Sequence, residues 1–209
     1  MVLLAASLWG TTGTAQTFGS GALSSDWFGA LRLVVASAFF AVFAWLTAPR
    51  GDGAAAGARL PMREVLAAGL CMAVYNLAFF AGIGHTGVAV GTALALGSGP
   101  VWAGLLQSLI ARQAPRAVWW AGTAAAVAGG VLMTLTGMGS GQAFSAGGAA
   151  LCLLSGLAYA AYTLINKRLV RSASAARVTL HAFSVGALLA GAAAWWNAGT
   201  PTLTAGGGG

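Results

Sequence analysis

Charge is what this sequence has least of. Only three of its 209 residues are acidic, Asp26, Asp52 and Glu64, and charged residues of both signs make up 6% of the chain. A water-soluble domain devotes roughly 25% of its residues to charge because its surface faces water, so a soluble globular reading is excluded. Cysteine is almost as scarce. Cys71 and Cys152 stand in no CxxC or Cys/His spacing, which points to neither a metal site nor a disulfide framework, and no cofactor is implied. No basic residue precedes Arg32, so the positively charged start of a cleaved secretory signal is also missing. A hydrolase finds no support either. Ser98 sits between Gly97 and Gly99, but Leu96 and Pro100 break the GxSxG spacing of a nucleophile elbow, and no acid is placed to orient the distant His181.

What fills the sequence instead is apolar residues, 58% of the total, gathered in long runs. A helix needs about 20 apolar residues to cross a hydrocarbon core. Seven segments qualify, at 2–20, 28–48, 65–84, 88–111, 117–137, 147–166 and 178–197, which predicts an all-α, polytopic transmembrane bundle with lipid as its surrounding partner. The formal net charge of +7 does not indicate nucleic-acid binding, because the basic residues fall in short clusters between apolar runs. Arg50, Arg59 and Arg63 follow the second span, Arg112 and Arg116 the fourth, and Lys167, Arg168, Arg171 and Arg177 the sixth, whereas the loops after spans one, three and five carry none. The positive-inside rule then places the N-terminus in the cytoplasm of a bacterial-type cell, with the chain in the inner membrane. Trp27, Trp45, Trp119, Trp120, Trp195 and Trp196 lie near span ends, where an amphipathic indole prefers the headgroup zone. Gly87 and Gly91, with Gly129, Gly130 and the alanine runs, read as close-packing helix faces.

An internal echo aligns LLAASLWGTTG, containing Trp9, with LLSGLAYAAYT, containing Tyr159, at an offset of 150 positions. If the repeating unit holds five spans, successive copies enter the membrane in opposite senses, the inverted-repeat design of many secondary transporters, whose binding site lies near mid-membrane.

Trp9-Gly10 early in span one, Leu31-Arg32 in span two, Tyr75, the Ala-Gly-x-x-His-Thr turn around His85, and Pro100 together resemble the EamA domain of the drug/metabolite transporter superfamily. The resemblance implies a first five-span repeat over residues 1–137 and an incomplete second repeat over 147–209. Family members typically carry ten spans, so it also implies either a truncated chain or completion by a homodimer or a second chain. Where the family often has a Glu-Arg or Glu-Lys pair after span four, Gln113 and Ala114 stand here, and no role passes to that acid. The implied function is secondary transport, in the sense of export, of a metabolite, amino acid or amphipathic drug-like compound by alternating access. A non-transporting or channel-like subunit is the alternative, but neither long partner-binding loops nor a ring of pore-lining polar residues is visible.

Polar and aromatic residues inside spans nominate the site. Arg32 lies several residues into span two, where a central charge costs roughly 2.5–3.5 kcal/mol on insertion scales. It reads either as a binding residue for an anion or carboxylate in the pathway, or as an anchor paired with Asp26 or with backbone carbonyls near the outer surface. Tyr75 and Asn76 sit in mid-span three, and an amide in hydrocarbon needs either another helix or a solute to bond. With Trp9, Gln16, Trp102, Tyr159 and Tyr162 they form the expected substrate-binding set, an aromatic cavity with few polar hooks. Gly97, Gly99 and Pro100 form an expected kink or hinge, since Pro100 removes a helix hydrogen bond and the glycines loosen the turn before it. His85 and His181 stand near opposite span ends, where either could titrate near neutral pH.

Overall fold

A computed structural model of the chain describes residues 24–47, 60–111, 117–137 and 145–200. Six helices fill them: α1 (Ser25–Leu46), α2 (Met62–Thr86), α3 (Val88–Ala111), α4 (Ala117–Gly137), α5 (Ala146–Leu169) and α6 (Ala175–Ala198). They match predicted spans two to seven in order. The first predicted span, with Trp9 and Gln16, lies outside the described residues. All of the helices are apolar, and α1, α2, α3, α5 and α6 are each long enough to cross a membrane, so the described chain is an all-α, polytopic bundle.

The helices overrun several predicted span ends by a turn or less, because polar residues at the ends stay helical beyond the apolar stretch until a capping residue stops them. Ser145 caps α5 by accepting the Gly148 N–H at 3.2 Å. At the far end of α2 the chain leaves the helix through Gly87, whose φ of 81° is a conformation that a side chain resists, and α3 starts at the next residue.

α2 is the hub. It packs on α5 most extensively, and also on α6, α1 and α3, while α1 lies along α6 and α3 lies along both α5 and α4. Lipid tails are as apolar as leucine, so helices in a bilayer hold together by close packing and interhelical hydrogen bonds, and small residues occupy these seams. A side chain added at Gly69 of α2 would run into Val185 of α6, and one at Gly186 of α6 would meet the Gly69 carbonyl at 3.2 Å. At the other end of α2 a side chain on Gly82 would strike Cys152 Sγ at 2.6 Å, and one on Gly148 would strike His85 Cβ at 2.7 Å. Gly156 of α5 admits Ser98 and the Ala95 carbonyl of α3 in the same way. Gly91 is in close contact with Ile83 and Thr86, as a packing face requires. Nothing described comes within 4 Å of a side chain added at Gly129. Gly130 lies among the side chains left undescribed. Cys71 and Cys152 are free thiols, Cys152 fully buried in the α2–α5 seam.

Outward faces carry large apolar residues. On α1 these include Val35, Phe39 and Trp45, on α6 Leu188 and Trp196, all more than half exposed. Such a surface suits acyl chains. The ends of α1 and α6 are tied together: Trp27 Nε1 donates to the Gly199 carbonyl at 3.0 Å, and Asn197 Nδ2 donates to Asp26 Oδ2 at 3.2 Å.

Candidate functional site

Where α1, α2, α5 and α6 converge, they leave a cavity of about 570 Å³, within the range typical of small-molecule sites. Helix α5 supplies one wall as a single stripe: Tyr159, Tyr162, Thr163, Asn166, Lys167 and then Val170 recur at steps of three and one residues, the period that keeps side chains on one helix face. At a rise of about 1.5 Å per residue the stripe descends about 16 Å, from the middle of the bundle to the end of α5 that carries Lys167 and Arg168. Met72 and Tyr75 of α2, Arg32 of α1 and Phe183 of α6 complete the lining. Lys167 and Val170, both exposed, mark the mouth at the basic end of the bundle.

The deep end is built around Arg32. Its Nη1 donates to Asn76 Oδ1 at 3.4 Å, and its guanidinium carbon lies 5.8 Å from the centre of the Phe80 ring, inside cation–π range. Asn76 is 1% exposed, and its other polar atom is spent on its own helix, Nδ2 donating to the Met72 carbonyl at 2.9 Å. Asn76 thus holds Arg32 in place from behind the wall. Asp26 accepts from Asn197, one face of the α1–α6 contact, and among the described residues no carboxylate pairs with Arg32.

Aromatic rings carry the wall onward. Tyr75 lies 5.2 Å from Tyr159, Tyr159 lies 6.2 Å from Tyr162, Tyr162 lies 6.2 Å from Phe183, and Phe183 lies 5.9 Å from Phe40, each measured between ring centres. Ser155 of α5 braces the Tyr75 backbone by donating to its carbonyl at 3.2 Å, a fully buried bond between helices. Tyr75 Oη and Asn166 Oδ1, on two residues of the lining, are buried with no hydrogen-bond partner among the described residues. A buried polar group left unpaired is costly.

Of the residues nominated from sequence, Arg32, Tyr75, Tyr159 and Tyr162 meet in this one cavity, with Asn76 directly behind Arg32. Trp102 does not join them. It lies at the α3–α5 crossing, its Cδ1 at 3.5 Å from the point where a side chain on Gly156 would begin, and its Nε1 is buried without a described partner. Trp9 and Gln16 fall outside the described residues. Gly97, Gly99 and Pro100 lie within α3, which continues as helix across Pro100 from Val88 to Ala111. His85 and His181 are exposed and line no part of the cavity, the His181 Nδ1 lying 2.7 Å from the Arg177 carbonyl. Sequence reasoning passed over Met72, Thr163, Asn166, Lys167, Val170 and Phe183. The α5 members were legible in principle, because they extend the face of Tyr159 and Tyr162 at helical spacing; Met72 and Phe183 are ordinary apolar residues whose place depends on how α2 and α6 are rotated.

The model of the EamA-like transporter family matches residues 1–135. The chain is also 32% identical over 193 residues to a Bacillus subtilis (strain 168) protein named uncharacterized transporter YwfM, an alignment that covers 90% of this chain and 61% of YwfM. It therefore spans about three-fifths of that relative's length. No solved structure matches it. The family match takes in the apolar segments from the first predicted span to α4, which is well over half of the 209 residues, and the chain belongs to the EamA-like transporter family.

Proposed function

We propose that this chain forms the substrate-carrying part of a secondary transporter, which exports a small amphipathic metabolite across the inner membrane by alternating access. The observation that carries the reading is the cavity itself: an aromatic hollow with a guanidinium at its deep end, inside a bundle whose outer faces are apolar. A partly buried cation within a membrane helix is expensive and is retained where a pathway uses it. The relative's name, a transporter, supports the same class.

On the proposed topology the N-terminus is cytoplasmic, and the basic ends of α5 and α6 face the cytoplasm. The cavity mouth beside Lys167 then opens inward, while the Trp27–Gly199 and Asp26–Asn197 bonds close the outer ends of α1 and α6. This is the arrangement that loads a substrate from inside the cell. The inverted-repeat reading, with a first repeat over 1–137 and a second beginning at 147, asks for three further spans beside α5 and α6; a homodimer or a second chain is the proposed source where the polypeptide itself does not supply them. Residues Trp9 and Gln16 are proposed to complete the site from the first span, and Gly97, Gly99 and Pro100 to bend α3 between states.

The test is flux. Proteoliposomes holding the protein should exchange labelled amphipathic metabolites faster than empty vesicles, and a folded protein that moves nothing across a broad substrate panel sinks the transport reading.

A further inference from the structure

Resting on the transport reading, we propose that the cavity selects aromatic monocarboxylates, and that it discriminates against zwitterions and amines of the same shape. Among the described residues, the charges on the lining are of one sign only: Arg32 at the deep end and Lys167 at the mouth. Of the three acids in the chain, Asp26 is occupied by Asn197 at the far ends of α1 and α6, Glu64 lies in the first turn of α2, and neither lines the cavity. Asp52 lies outside the described residues. A carboxylate entering the hollow meets a guanidinium already oriented by Asn76 and Phe80, which leaves the rest of its donor fork for the solute. An ammonium entering the same space meets two like charges and no counter-charge on the described lining.

The remaining features fix the body of the molecule. The Tyr75, Tyr159 and Tyr162 rings offer faces and edges to an aryl group. Asn166 stands seven residues along α5 from Tyr159, about 10 Å toward the mouth, on the same wall.

Three probes with one body separate charge from shape: 4-hydroxyphenylpropionate, tyrosine and tyramine, which present an anion, a zwitterion and a cation. In proteoliposomes containing the full chain, initial flux of the anion should exceed that of each of the others by about tenfold or more. Arg32→Gln should remove that preference and Arg32→Lys should keep most of it. Lys167→Gln at the exposed mouth, away from the contact that Arg32 makes with α2, serves as the second variant; it should raise the apparent KM for the anion several-fold and increase tyramine flux, with unchanged thermal stability. Tyrosine or tyramine moving as fast as the anion overturns the selectivity while leaving transport standing. Failure of all three, and of a broad panel beside them, overturns transport and this inference together.

Discussion

Arg32 and Asn76 act as a pair, and their roles separate on substitution. Asn76 is buried and accepts from Arg32, so Asn76→Leu leaves the guanidinium unheld while keeping the wall of the cavity intact. Losing a hydrogen bond to a charged group costs roughly 1.5–3 kcal/mol. We expect a lower melting temperature in detergent and at least a fivefold rise in the apparent KM for anionic substrates, with Asn76→Gln partly restoring the KM. A normal KM in Asn76→Leu would show that Arg32 needs no support from α2. Ser155 gives a purely structural contrast. Its hydroxyl bonds the Tyr75 carbonyl across the α2–α5 seam, and interhelical bonds of this kind in membrane proteins average about 0.6 kcal/mol. Ser155→Ala should therefore shift stability by about that amount and leave substrate preference untouched, as differential scanning fluorimetry and flux assays on the same preparation would reveal.

At the scale of the helix, glycines decide how near two backbones come. Gly69 and Gly186 face each other across α2 and α6, and a leucine at either position has no room. Overpacking a tight seam costs roughly 1–3 kcal/mol. Gly69→Leu is expected to lower the melting temperature sharply, because Val185 occupies the space a side chain there needs; an unchanged melting temperature would contradict the packing described for α2 and α6. Pro100 poses a different question of α3. The helix runs through it, but a proline leaves the carbonyl four residues earlier without its usual donor. Pro100→Ala restores that bond and should raise thermal stability. If α3 bends during transport, turnover falls at the same time; stability and turnover rising together would make Pro100 a fixed bend and nothing more.

The molecule as a whole rests on its orientation in the bilayer. Basic residues follow predicted spans two, four and six, and the cavity mouth lies at that same end of the bundle. In a background without Cys71 and Cys152, a cysteine at Ser172 should react with a membrane-impermeant maleimide only from the cytoplasmic side, and one at Gly147 only from outside. Labelling of both from one side would reverse the assignment of α5 and with it the inward-facing cavity. The number, order and approximate limits of α1 to α6 were legible in the sequence, because in lipid a run of about 20 apolar residues has one way to satisfy its backbone, and basic residues stay where they need not cross. The aromatic and charged candidates Arg32, Tyr75, Tyr159 and Tyr162 were legible for a related reason: polar groups are too costly in hydrocarbon to be retained idly. What hydropathy could not supply is rotation. An apolar helix has apolar residues all round, so nothing in its pattern says which face turns inward. Only the packing of α2 against α5 and α6, set by glycine contacts that depend on partners far away in the chain, placed Met72, Asn166 and Phe183 on the cavity, withdrew Asn76 behind Arg32, and carried Trp102 to the α3–α5 crossing.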